Sequence, residues 1–320
     1  MKFKKTILNK YMVRKNKKQK DAFIEYVKEE LKDSKYDINV EKGEFGARNI
    51  VIGDVKKAKV LFTAHYDTCA VMPVPNFITP TNVGIYLLYQ MLLVIPMILI
   101  AFIGAWVAGL LLPSFSSVGQ IVYCSLLILM LCLLMFGPAN KNTVNDNTSG
   151  TITILEMINK IPNKIKDKVA FVLFDLEEAG LIGSSSFASK YKKDIKTKLL
   201  INFDCVSDGD KILFVFNKKA KDNLNLLEEV YVNTDSVITQ MVTKGAFYPS
   251  DQANVPCGVG VCSVIRGKKF EYIDKIHTNK DTVCRDENIE YLVDKSIELV
   301  EKYNIKTHFL MWSVLLFWFF

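Results

Sequence analysis

Hydrophobic and polar positions divide the chain into one long uncharged stretch and two flanking parts of mixed pattern. Between Asp67 and Lys141 there is no Asp, Glu, Lys, Arg or His. Residues 83–112 and 118–136 are two apolar runs in this stretch, separated by a short turn that begins at Pro113. A helix of either length can cross a hydrocarbon core of about 30 Å. The pattern therefore predicts a transmembrane helical hairpin rather than two buried core helices.

The flanking parts alternate helical and extended patterns. Residues 18–33 repeat apolar positions at helical spacing, residues 37–53 indicate a β-hairpin, and residues 287–303 indicate a closing helix. Four apolar runs predict buried strands, at residues 59–63, 169–174, 199–203 and 259–265. Strands that alternate with helices are typical of an α/β fold, here a mixed, largely parallel sheet flanked by helices.

These patterns predict one discontinuous α/β domain with an insertion. We assign residues 1–82 and 138–304 to the domain, 83–137 to the transmembrane hairpin and 305–320 to an apolar C-terminal tail. A helical hairpin returns the chain to the side from which it left. His65 and Asp146 can therefore meet, although both spans separate them in sequence.

Charge and cysteine content bear on location. The formal net charge is +7, and residues 1–20 are strongly basic without the apolar core of a secretory signal. We interpret this basic segment as a solvated start to the first helix. Beside a membrane segment, contact with lipid is a better hypothesis for it than contact with nucleic acid. The seven cysteines include no C-x-x-C pair and suggest reduced, packed thiols. The turn is uncharged and the flanks are rich in lysine, which predicts a bacterial plasma-membrane protein with a cytoplasmic catalytic domain.

Histidines and carboxylates follow the predicted strands and suggest a metal centre. The candidate residues are His65, Asp67, Asp146, Glu177, Glu178, Asp204 and His277. The carboxyl ends of parallel strands share one edge of a sheet, so these side chains can converge. Imidazole and carboxylate together suit zinc, cobalt or manganese, and two such metals need a shared carboxylate. We interpret Asp175, Asp208 and Asp210, which lie nearby in sequence, as solvated turn residues.

Five short motifs resemble, in order, those of the M28 family of zinc metallopeptidases, which are mostly aminopeptidases. They are HYD at 65–67, NDNTSG at 145–150, DLEEAG at 175–180, NFD at 202–204 and HTNKDT at 277–282. The similarity implies the zinc-exopeptidase/phosphorylase-like fold and two zinc ions per chain. It also implies that His65 and Asp204 bind one ion, Glu178 and His277 bind the other, and Asp146 bridges them.

The same resemblance implies the reaction. Asp67 matches the carboxylate that orients the His65 imidazole, and Glu177 matches the general base that takes a proton from a metal-bound water. The expected substrate is a peptide with a free N-terminus, from which the N-terminal residue is hydrolysed. The long insertion between His65 and Asp146 departs from the soluble members of the family.

Three further hypotheses remain beside this one. A one-zinc acyltransferase resembling the glutaminyl cyclases has the same fold, and so has a non-catalytic membrane receptor or scaffold. The hairpin could also bring the substrate pocket close to the bilayer, although we expect a simple anchor.

Overall fold

A computed structural model describes residues 1–317, with side chains described through Tyr303. Its strands form one nine-stranded mixed sheet. They are β1 Ile38–Lys42, β2 Arg48–Ile52, β3 Val60–His65, β4 Val169–Phe174, β5 Leu199–Phe203, β6 Lys211–Phe216, β7 Ile238–Val242, β8 Gly258–Arg266 and β9 Glu271–Tyr272. The order is β1-β2-β4-β3-β5-β8-β6-β7, and β9 pairs with β8. The predicted fold class is confirmed.

The centre of the sheet is parallel and fully buried. Strands β4, β3, β5 and β8 pair in parallel, whereas β2 and β6 join them from either side in antiparallel register. Every residue of β3, β4 and β5 is buried. Continuous apolar runs of this kind are expected for parallel strands covered on both faces.

Helices cover both faces of the sheet. Their bounds are α1 Lys4–Lys10, α2 Lys17–Leu31, α3 Val83–Leu111, α4 Val118–Phe136, α5 Gly150–Lys160, α6 Ile182–Lys190, α7 Leu224–Val230 and α8 Asp286–Phe317. Side chains of α2, α5, α7 and α8 share one large apolar core with the sheet. On the other face, Phe187 of α6 packs in a smaller core against Phe174 of β4.

The inserted stretch forms the predicted helical hairpin. Helices α3 and α4 are long and apolar enough to cross a membrane, and Ala101 is the one buried residue between them. A short two-stranded neck joins the hairpin to the domain, with Ala70 bridged to Ala139 and the N–H of Val71 donating to Pro138 O at 2.8 Å. The two ends of the insertion are therefore adjacent in space.

The predicted closing helix, residues 287–303, lies within α8. That helix continues to Phe317, past the expected start of the apolar tail at 305. The side chains of residues 304–317, and residues 318–320 altogether, lie outside the described part of the chain. The tail therefore stays a prediction from sequence.

The solvated interpretation of the N-terminal segment holds for most of its lysines but is wrong for its apolar residues and for Arg14. Phe3 and Ile7 are buried, and the Arg14 side chain is fully buried. Arg14 donates to the backbone oxygen of Tyr66 and to the Thr148 hydroxyl. These acceptors offset part of the cost of burying a charged side chain. Residues 1–20 are therefore part of the domain and support the strand that ends at His65.

The interpretation of Asp175 and Asp208 as solvated is also wrong. Both side chains are buried. Asp175 pairs with the buried ammonium group of Lys20, and Asp208 pairs with Lys275 at 2.8 Å. Both pairs join segments that are distant in sequence, so the sequence pattern gave no sign of them.

Candidate metal centre

The seven candidate residues meet at one edge of the sheet. His65 is the last residue of β3, and Asp67 follows two positions later. The other five residues lie in the segments that follow β4, β5 and β9 or precede α5, namely Glu177, Glu178, Asp204, His277 and Asp146. This is the edge formed by the carboxyl ends of the parallel strands, as the sequence predicts.

Asp146 lies between the two histidines. Its Oδ1 is 3.4 Å from Nε2 of His65, and its Oδ2 is 3.2 Å from Nε2 of His277. Each carboxylate oxygen therefore faces a different imidazole. A carboxylate shared between two metal ions requires this arrangement.

The other acidic residues divide between the two imidazoles. Oδ1 of Asp204 lies 3.5 Å from Nε2 of His65, while Oε2 of Glu178 lies 3.3 Å from Nε2 of His277. The ligand atoms of His65, Asp146 and Asp204 lie within 4.8 Å of one another, and so do those of Asp146, Glu178 and His277. Among the described residues, two groups of possible ligands thus have Asp146 in common, and a third brings together His65, Glu177 and Glu178.

Cys69 belongs to the second group, which the sequence analysis did not foresee. Its sulfur lies within 4.8 Å of the ligand atoms of Asp146, Glu178 and His277. The sequence predicts only a reduced, packed thiol at this position. Its position two residues after Asp67, in the same loop, was the available signal.

Asp67 links His65 to the two glutamates. Nδ1 of His65, on the side of the ring away from Asp146, lies 3.2 Å from the backbone oxygen of Asp67 and 3.5 Å from Oδ1 of the same residue. The same carboxylate accepts hydrogen bonds from the backbone N–H groups of Glu177 and Glu178, at 3.1 and 3.3 Å. Asp67 therefore orients the imidazole and the two glutamates together.

Backbone strain is concentrated at the centre. Leu176, Cys205 and His277 have φ angles of 56°, 56° and 62°, which are unusual for residues other than glycine. His277 is itself a candidate ligand, while Leu176 precedes Glu177 and Cys205 follows Asp204. Such conformations persist where the surrounding structure enforces them, often at functional sites.

Burial and neighbouring charges strongly shift the pKa values of the site residues. Burial raises the pKa of Glu177 and of Glu178 well above the usual range, and neighbouring carboxylates add to the shift. Burial would lower the pKa of His65, but Glu177, Asp146 and Asp204 raise it well above its usual value. The excess of carboxylates over imidazoles creates a negative potential that favours cations.

The donor set fits metal ions. Nε2 of His65, Oε1 of Glu178 and Oδ1 of Asp204 are among the buried polar atoms that have no hydrogen-bond partner within the described residues. A buried polar atom without a partner costs about 1–3 kcal/mol. All three belong to the two ligand groups, so divalent cations would give each of them a partner. Nitrogen and carboxylate oxygen are ligands that zinc accepts.

A cavity of about 510 Å³ opens onto these residues. Asp146, Glu177, Glu178, Asp204 and His277 contribute to its wall. Tyr248 also lines it, and the Tyr248 hydroxyl donates to the backbone oxygen of Asp204 at 3.1 Å. The remaining wall includes Tyr86 and Gln90 of helix α3, so the hairpin reaches the candidate site.

A family model described as peptidase family M28 matches residues 133–293, just over half of the chain. The chain belongs to peptidase family M28. The resemblance inferred from the five motifs is thereby confirmed. The matched residues contain every candidate ligand except His65, together with Glu177.

Among curated proteins, this M28 chain is similar to leucine aminopeptidase 1 of Ajellomyces capsulatus strain H88. The two are 29% identical over 157 residues, which is 43% of this chain and 40% of the relative. The match thus spans less than half the length of that aminopeptidase.

Two solved structures illustrate the fold of this M28 chain. The LapA aminopeptidase of Legionella pneumophila superposes with a TM-score of 0.57 at 14% identity, over 93% of this chain and 67% of LapA. The Bacteroides thetaiotaomicron glutaminyl cyclase bound to N-acetylhistamine gives 0.56 at 13% identity, over 92% of this chain and 94% of the cyclase. The shared fold therefore does not distinguish a peptidase from a cyclase.

Proposed function

We propose that this protein is a membrane-anchored, two-zinc aminopeptidase that hydrolyses N-terminal residues from peptides. The observation that carries the proposal is the Asp146 carboxylate, whose two oxygens face the imidazoles of His65 and His277. An arrangement with one ligand group on each side of a shared carboxylate supports two metal ions rather than one. The similarity to a leucine aminopeptidase supports the peptidase class.

We assign residues to the two metals on the basis of the ligand groups. His65 and Asp204 would hold the first zinc ion, Glu178 and His277 the second, and Asp146 would bridge them. The chemistry supplied by bound zinc is polarisation of the scissile carbonyl and easier ionisation of water.

Glu177 is the proposed general base. Its Oε2 lies 4.0 Å from Nε2 of His65, and its side chain lines the cavity beside the ligands. A carboxylate there can take a proton from the attacking water and deliver it to the leaving amine. Asp67 acts through its neighbours, because it holds the His65 ring and the backbone N–H of Glu177.

The hairpin is the proposed membrane anchor, with the catalytic domain on the cytoplasmic side. The turn between α3 and α4 is uncharged, and the domain has many lysines. A cysteine introduced by Ser116→Cys should react with a membrane-impermeant thiol reagent added to intact cells. Labelling only in broken cells would show that the turn faces the cytoplasm, which is the opposite orientation.

The function is tested with the purified full chain and peptides that have either a free or an acetylated N-terminus. We expect release of the N-terminal residue from the free peptide alone. Glu177→Gln should lower kcat by about 10²–10⁴-fold, because general-base catalysis contributes on that order. Its zinc content should equal that of the wild type, since Glu177 is not assigned as a ligand.

Three results would contradict the proposal. Unchanged turnover in Glu177→Gln would remove Glu177 as the base. Cyclisation of an N-terminal glutamine with release of ammonia, without peptide hydrolysis, would favour the cyclase-like alternative. Zinc binding without any turnover would favour the scaffold.

A further inference from the structure

A second cavity, of about 670 Å³, adjoins the cavity of about 510 Å³ at the candidate metal centre, which we call the catalytic cavity. Four residues line both: Asn76, Gln90, Glu178 and His277. Two of these are candidate ligands of the second metal. The second cavity is therefore continuous with the site at which a scissile bond would lie. We call it the apolar groove.

The apolar groove is formed mainly by the hairpin. Leu93, Met97 and Ile100 of α3 contribute one wall, and Leu134 and Met135 at the end of α4 contribute another. Most of the remaining wall is also apolar, and comes from further residues of α3 and from residues 72–74, which precede the hairpin. A groove of this composition favours an apolar occupant.

Gln90 marks the junction of the two cavities. It is the only strongly polar side chain in residues 83–112, and its Nε2 donates to Oδ1 of Asn76 at 3.3 Å. The neighbouring Tyr89 hydroxyl donates to the backbone oxygen of Pro75 at 2.6 Å, which holds α3 against the loop before it. Polar side chains are costly within a membrane span and commonly mark functional positions. Here Gln90 lies where the polar cavity meets the apolar groove.

The size of the groove exceeds what one side chain needs. A cavity of about 150 Å³ accommodates a benzene molecule. The groove has more than four times that volume, so it can hold several apolar side chains.

Leu92 and Ile100 of its wall are more than half exposed, as are Leu88 and Leu99 on the rest of α3. If the hairpin crosses a bilayer, the groove lies at its apolar surface.

We propose that the apolar groove binds the residues that follow the N-terminal residue of a peptide substrate. The N-terminal residue occupies the catalytic cavity, and an apolar segment extends from it along α3. The preferred substrates are then peptides with apolar N-terminal segments, which partition into the bilayer. This inference rests on the proposed aminopeptidase function. It gives the hairpin a role in substrate binding as well as anchoring.

The test compares two peptides with the wild-type full chain in lipid nanodiscs. Both begin with Ala; one continues with four Leu residues and the other with four Ser residues. Burial of even one or two leucine side chains is worth enough for a tenfold effect. We therefore expect kcat/KM to be at least tenfold higher for the Leu peptide.

Matched variants locate the effect. Met97→Trp and Leu93→Trp each fill part of the groove. We expect either change to lower kcat/KM for the Leu peptide at least fivefold. The ratio of kcat/KM between the Leu and Ser peptides should therefore fall. Leu99→Trp adds the same side chain to α3 outside the groove lining, so the wild-type ratio should persist. Two groove variants protect the test against misfolding of one.

The outcomes separate the two proposals. Failure to cleave any peptide with a free N-terminus would overturn the aminopeptidase function itself. Equal cleavage of both peptides by the wild type would overturn the groove proposal alone. A preference for the Leu peptide that persists in both groove-filling variants would also overturn it, because the preference would then arise outside the groove.

Discussion

Asp281 holds the backbone of the bridging residue. The Asp281 side chain is buried, and its two oxygens accept hydrogen bonds from the N–H groups of Asn145 at 2.7 Å and Asp146 at 3.0 Å. Burial raises the pKa of Asp281 to about 8, although these hydrogen bonds oppose the shift. Asp281 is thus a positioning residue for the shared carboxylate.

We predict that Asp281→Asn weakens metal binding. The amide would turn a donor toward one of the two N–H groups and release that part of the turn. Loss of a group that positions a ligand typically lowers metal affinity 10–100-fold. Zinc affinity is measured by competition with a chromogenic chelator. Asp210→Asn, at a half-exposed position paired with Arg266, is the control; equal affinity in both variants would exclude this role for Asp281.

The buried pair Lys20–Asp175 gives a second prediction. Both side chains are more than nine-tenths buried. Lys20→Met leaves the Asp175 charge without its partner, which typically costs about 3–5 kcal/mol. Lys17→Met breaks the exposed pair with Asp21 on the same helix and should cost less than about 1 kcal/mol. Urea unfolding measures both; equal losses would show that burial of the pair does not determine its contribution.

The ligands could be predicted from the sequence because each follows a recognisable strand within a motif. His65 and Asp204 show this most clearly. Arg14, Asp175 and Cys69 could not be predicted in the same way. Their partners come from segments far away along the chain, and a lone charged side chain carries no signal of what will cover it. For Cys69, closeness to Asp67 in sequence is the one available signal.

Among the elements, the fully apolar strands were predicted within about two residues. Strands β3, β4 and β5 are buried on both faces, so their composition alone separates them from loops. Strands β6 and β7 were missed. The prediction used apolar runs that are followed by candidate ligands. No candidate ligand follows β6, and β7 is only partly buried, so neither strand met these criteria.

The packing of the hairpin gives a third prediction. A Cβ atom at Gly104 would lie 2.5 Å from Cδ1 of Leu126 on the other helix, whereas one at Gly109 would meet nothing within 4 Å. The end of the Leu126 side chain can move aside for a Cβ alone, but Gly104→Val adds two further methyl groups between α3 and α4 and should cost about 1 kcal/mol, the low end for overpacking. Gly109→Val is the matched control. The midpoint of thermal unfolding in detergent reports the difference, and equal midpoints would contradict this packing.

In the whole molecule, the insertion and the candidate metal centre are structurally connected. The neck at Ala70 and Ala139 returns the chain to the sheet, so that Asp146 can face His65. Lys15 strengthens this joint, since its ammonium group donates to the backbone oxygen of Met135 at 2.9 Å. The hairpin is thereby fixed beside the catalytic cavity.

The most direct test is the number of zinc ions per chain, measured by elemental analysis of the purified protein. We expect two ions in the wild type. We expect fewer than one in Asp146→Ala, because that change removes the carboxylate that both ligand groups share. A wild-type protein that binds one ion, or an Asp146→Ala variant that keeps two, would contradict this expectation.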